Sequence, residues 1–111
     1  MSSAPLKAGA AALAVSLACA SAVHARDPVA GRAKAAACAV CHGPLGLSVA
    51  PDAPHLAGQP ALYLSSQLRA YRSGARKHEV MAVMARPLSD GDIEDLAAWF
   101  ASLQISVQAP P

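Results

Sequence analysis

A chain of 111 residues has room for one domain, and a domain this small lies near the size at which a core alone stops sustaining a fold, so a covalent or metallic reinforcement is expected. The formal charge is only +2 and charged residues make up 14%, which excludes the clustered basic surface of a nucleic-acid binder. Hydrophobic residues reach 54%, yet many are alanines and aromatics are only 4%, so the chain is rich in helix formers and poor in large core side chains.

Residues 1–25 have the layout of a secretory leader: Lys7, an apolar run from Ala8 to Ala20, and small residues ending Val23-His24-Ala25. Cleavage after Ala25 is the preferred reading and cleavage after Ala22 the alternative. The apolar run is shorter than the roughly 20 residues of a membrane-spanning helix, which argues against an uncleaved anchor. Cys19 lies in this run, and Ser16 stands where a lipid-acceptor cysteine would normally be preceded by leucine. The expected organisation is a signal peptide over 1–25 and one domain over 26–111, delivered to the periplasm without stable membrane insertion of the mature chain.

Asp27 to Ala39, with Pro28 near the first turn, reads as a first helix that runs straight into Cys38-Ala39-Val40-Cys41-His42. Gly43, Pro44 and Gly46 end regular structure, and residues 43–59 read as a loop. Pro60 to Arg72 is a second helix, with Leu64, Leu68 and Tyr71 on one face and Ser73-Gly74 as its stop. Ala75 to Leu88 shows no clear period and is expected to be a loop. Ser89 caps a third helix with Asp92 as its capping-box partner, while Asp90, Glu94 and Asp95 favour the positive end and Ile93, Leu96, Trp99, Phe100 and Leu103 form an apolar stripe. No strand-like alternation occurs, so the fold class is all-α.

Loss of the leader leaves Cys38 and Cys41 as the cysteine pair, and a disulfide between them would close too small a loop to reinforce a domain. Cys-x-x-Cys-His on an exported chain is instead the attachment signal for haem c, with two thiols for the vinyl groups and His42 as an axial ligand to iron. A thioredoxin-like pair would need a βαβ context, and a zinc site would need further ligands at closer spacing than His55 and His78 offer. Downstream, Met81 and Met84 are the candidates for the other axial position. A thioether there makes a six-coordinate electron-transfer site rather than an open haem that binds gases or activates peroxide.

The succession CAVCHG, PHLAGQ and MAVMARPLSDGDIEDLAAWFASL resembles class I c-type cytochromes of the c4/c553 group across nearly the whole mature chain. The resemblance implies a small cytochrome c fold of three main helices and loops wrapped around one covalent haem c. It implies Met81 as the axial ligand, with Met84 as packing, and the Pro54 carbonyl as acceptor for the His42 ring. It also places Gly31 where the first and last helices cross, with Trp99 packed there. Arg76 matches a basic residue that in relatives can lie near a haem propionate, although a solvated surface position fits it equally well. His55 is read as a surface or haem-edge residue. The c4 proteins carry two such domains, whereas this sequence has a single haem motif. The implied function is periplasmic electron transfer rather than enzymatic catalysis. Partners would be redox proteins: an oxidase, a cytochrome bc-type complex, or a periplasmic dehydrogenase to which the chain is bound as a subunit.

Overall fold

The computed structural model describes Met1 and residues 26–111; the leader assigned to 1–25, with Lys7, Cys19 and both cleavage positions, lies outside the described residues. The helices are α1 (Pro28–Lys34), α2 (Ala39–His42), α3 (Ala61–Ser73), α4 (Glu79–Ala85) and α5 (Asp90–Ser102), with a 3₁₀ turn at Ala35–Ala37 joining the first two. No strand occurs among the described residues.

The Asp27 side chain caps α1 by accepting from the Val29 N–H, with Pro28 at the first turn. The expected single helix to Ala39 is divided, since the Cys38 N–H bonds back to Ala35 at 2.9 Å and tightens the chain just before the cysteine motif. Pro60 stands immediately before α3 rather than inside it, and Gly74 ends that helix. At α5 the full capping box forms: the Asp92 N–H donates to Ser89 Oγ at 3.1 Å and the Ser89 N–H to Asp92 Oδ2 at 2.9 Å.

The stretch 75–88 is not the loop expected from its pattern, for it contains α4, and both Met81 and Met84 are helical. This helix is short, carries β-branched Val80 and Val83, and is capped by His78 instead of Ser, Thr, Asp or Asn. It therefore lacks the capping box that marks α5, and Glu79 in its first turn is the one start signal the two helices share.

α5 is the central element: α1 and α3 both pack on it, and α4 packs on α3. The core cluster joins Ala35, Leu64, Leu96, Ala97 and Phe100, with Leu68, Leu88, Trp99 and Leu103 packed against it. α1 and α5 approach closely because Gly31 has no Cβ. One built there would collide with the Asp95 carbonyl oxygen and lie 2.6 Å from the Asp95 carbonyl carbon and 2.8 Å from Trp99 Cβ. Asp95, fully buried at this crossing, accepts from the Asp27 N–H at 2.9 Å and pairs with Lys34 Nζ at 2.7 Å. The acidic residues at the start of α5 thus do more than complement the helix dipole. Arg69 meets Glu94 at 2.6 Å, and Arg72 meets Asp90 at 2.6 Å while donating to the Leu88 carbonyl at 2.9 Å, which ties α3 to α5. No helix among the described residues is long and apolar enough to cross a membrane.

Candidate functional site

The short stretch from Cys38 through α2 carries three of the residues singled out in the sequence. Cys38 precedes the helix, half-buried, with burial pushing its thiol up; Cys41 is exposed; His42 is buried at the C-terminal end. Gly43 then turns the chain with φ 78°, a conformation that lets the backbone pass tightly beside Leu47. The following loop folds back so that the His42 Nδ1–H donates to the Pro54 carbonyl at 2.8 Å. A carbonyl only accepts, so this bond fixes the proton on Nδ1 and leaves Nε2 as the ring's lone-pair nitrogen, the form that ligates metals.

Cys38, Cys41, His42, Pro54, Arg76, Met81 and Met84 all line one cavity of about 490 Å³. Its other walls include Leu64, Leu68, Leu96 and Phe100 from the core and Tyr63 and Tyr71 from α3. A second, smaller cavity of about 180 Å³ adjoins it and shares Cys41, His42, Pro54, Arg76 and Met81. Met81 is half-buried and Met84 is the more exposed, at 38%. The His78 ring accepts from the Met81 N–H at 3.2 Å, which starts α4 and so positions both methionines. Arg76 lies over the Tyr71 ring at 4.7 Å and donates to Gln67 Oε1 at 2.7 Å. That placement joins it to the cavity wall as well as to solvent.

These residues fit haem c. The cavity is within the size range of sites for extended cofactors, is walled mainly by apolar side chains, and brings two thiols and a lone-pair imidazole nitrogen to one side of the chain's core. Among the described residues no group of three or more His, Cys, Asp and Glu converges as it would to hold a metal ion unaided. The Nδ1 atoms of His55 and His78 are already engaged, by the Ser48 and Met81 N–H groups. Sequence reasoning missed Val40, Tyr63 and Val80 as cavity-lining residues; Val40 and Val80 sit on short helices that leave no periodic signal, and Tyr63 is an exposed position of α3 off the face marked by Leu64, Leu68 and Tyr71.

Comparison with known proteins bears on the identity of the domain. The family model described as Cytochrome c matches residues 29–104. Cytochrome c-554(548) of Halomonas halodenitrificans is 47% identical over 79 residues, covering 68% of this chain and 95% of that protein. The crystal structure of reduced recombinant cytochrome c4 from Pseudomonas stutzeri superposes with a TM-score of 0.69 at 44% identity, covering 75% of this chain and 48% of that one. A protein named thiosulfate dehydrogenase electron acceptor, from Stutzerimonas stutzeri, is 44% identical over 69 residues, covering 60% of this chain and 32% of that protein. The chain thus spans nearly all of the first relative but half or less of the other two. With a family match over most of the described domain and a relative aligned almost end to end, the chain belongs to the cytochrome c family, as an electron-carrying domain that bears one covalent haem c through Cys38 and Cys41.

Proposed function

We propose that the chain is a periplasmic carrier of single electrons whose haem iron is ligated by His42 and Met81. The observation that carries this reading is the meeting of Cys38, Cys41, His42 and Met81 on one largely apolar cavity. When bound, the haem supplies the one-electron redox chemistry. The protein's own residues do the rest. Pro54 holds the His42 ring in one tautomer and orientation and raises its basicity as a ligand. A Met81 thioether would block external ligands and favour the reduced state. Leu64, Leu68, Leu96 and Phe100 keep water from that side of the site. Arg76, held against Tyr71, would present its charge to a haem propionate.

Val40, Tyr63, Val80 and Met84 line the cavity and are exposed, which supports a small apolar docking patch at its mouth. Redox partners, such as an oxidase or a cytochrome bc-type complex, would meet it through the small, rapidly dissociating contacts typical of electron-transfer encounters. The start of the family match at residue 29 supports removal of a leader over 1–25. Carbon monoxide added to the reduced protein tests the ligand set. Wild type and Met84→Ala are expected to resist it at neutral pH and Met81→Ala to bind it promptly; prompt binding by wild type overturns the Met81 assignment.

A second reading, the electron-transfer subunit of a periplasmic dehydrogenase, is favoured by the relative named as an electron acceptor of thiosulfate dehydrogenase. Mild lysis separates the two. A carrier purifies alone and exchanges electrons rapidly with an oxidase, whereas a subunit brings a stoichiometric catalytic chain with it.

A further inference from the structure

We propose that His55 is a positioning residue for the haem site: it holds the Pro54 carbonyl against the His42 ring and thereby helps to set the reduction potential. The proposal rests on the reading of His42 as an axial ligand. Its basis is a closed circuit of bonds around that ligand. The His42 Nδ1–H donates to the Pro54 carbonyl at 2.8 Å, and Pro54 is joined directly to His55. The His55 ring Nδ1 accepts from the Ser48 N–H at 2.7 Å. Val49, joined directly to Ser48, donates its N–H to the Cys41 carbonyl at 3.1 Å, and Cys41 is joined directly to His42. Three hydrogen bonds and three peptide linkages therefore return to the ring from which they began.

The rest of the loop shares this task only through its backbone: the Ala53 N–H, on the residue before Pro54, reaches the Ala50 carbonyl at 3.3 Å. The Val49 and Ala50 N–H groups reach the Cys41 carbonyl at 3.1 and 3.3 Å, which anchors residues 48–50 to the cysteine motif. On the other limb, the Leu56 and Ala57 N–H groups reach the Gly46 carbonyl at 2.7 and 3.1 Å. Pro54 itself takes part in none of these backbone ties as a donor, because a proline has no N–H. The His55 ring supplies the side-chain bridge from the anchored Ser48 segment to the residue beside that carbonyl. Because Nδ1 of His55 accepts, its ring has the opposite tautomer from His42.

Loosening a partner that orients a metal-ligating imidazole lowers the ligand's basicity, and the effect is read at the metal. The backbone ties at Leu56 and Ala57 remain after substitution of His55, so the expected effect is moderate. The experiment compares holo wild type with His55→Leu, which removes the acceptor, and His55→Asn, whose amide oxygen can stand in for Nδ1. His55 is exposed, so neither change disturbs the core.

In His55→Leu the oxidised-to-reduced ratio at a fixed ambient potential should change about threefold, roughly 28 mV at 59 mV per tenfold for one electron. The His42 ring N–H should also exchange with solvent faster in the reduced protein, as followed by NMR. His55→Asn should restore both values. Unchanged potential and exchange in His55→Leu, with a wild-type visible spectrum, overturns the positioning role and leaves the ligand assignment standing. A wild-type spectrum without a histidine ligand overturns the assignment and the proposal together.

Discussion

At Gly31 the helix crossing leaves room for a hydrogen atom and nothing larger. The atoms facing the missing Cβ are the Asp95 backbone and Trp99 Cβ, none of which can swing aside as the end of a flexible side chain could. Gly31→Ala must therefore push α1 away from α5, stretching the bonds that Asp95 makes to Lys34 and to the Asp27 N–H. Overpacking of this kind costs about 1–3 kcal/mol, and the backbone clash places this case toward the upper end. A thermal melt of the holoprotein should fall by on the order of 10 °C. A melt unchanged within a degree or two would mean that the crossing can widen freely.

At the scale of elements, the ends of α5 and its ion pairs should govern how stability depends on pH. The Arg72 guanidinium beside Asp90 holds that carboxyl below the usual carboxylate range, and the Ser89 backbone N–H and hydroxyl do the same for Asp92. A carboxyl depressed in the folded state contributes stability above its ordinary pKa and loses that contribution as pH falls through the folded value. The Lys34 ammonium is held above its ordinary range, chiefly by Asp95, so its contribution is complete below that range and fades as pH rises through it. The melting temperature should accordingly be flat near neutrality, decline below about pH 4, and decline again above about pH 10. Asp92→Asn should flatten the acid limb, and Ser89→Ala should cost about 1 kcal/mol near neutrality through loss of the cap. Melts across pH 3 to 11 would check both; an acid limb as steep in Asp92→Asn as in wild type would assign it to other carboxyls.

The elements also show what a sequence can disclose. α5 is legible because its capping box, acidic first turn and apolar stripe all lie within one short segment. Cys38, Cys41 and His42 are legible because the chemistry needs them adjacent. α4 is hidden because a seven-residue helix is held by packing on α3 and by an unusual histidine cap, neither of which leaves a periodic pattern. The role of Asp95 is hidden because its partner Lys34 lies 61 positions away, and His55 is hidden because its partner is a backbone N–H, which every residue but proline possesses.

For the whole molecule, the cofactor and the fold are expected to stand or fall together. Among the described residues the buried hydrophobic ones are Leu64, Ile93, Leu96 and Phe100 together with the alanines 35, 57, 85 and 97, so half of that core is contributed by the smallest apolar side chain. A core of this kind in so short a domain supplies only about 3–5 kcal/mol. The site that Leu64, Leu96 and Phe100 wall has a volume of about 490 Å³. At about 24 cal/mol per Å³, keeping such a space open without its occupant would cost up to about 12 kcal/mol. Water entry through the mouth reduces that figure, but a third of it already matches the whole contribution of the core. The chain is therefore expected to collapse rather than preserve the cavity. A Cys38→Ser, Cys41→Ser variant prepared without haem should keep some helical circular dichroism, melt without a cooperative transition and bind a hydrophobic dye, whereas wild-type holoprotein should melt sharply and bind little. A cooperative, native-like melt of the haem-free variant would show that α1, α3 and α5 sustain the fold by themselves, and the ion pairs of α5 with Lys34, Arg69 and Arg72 would then carry far more stability than surface pairs usually do.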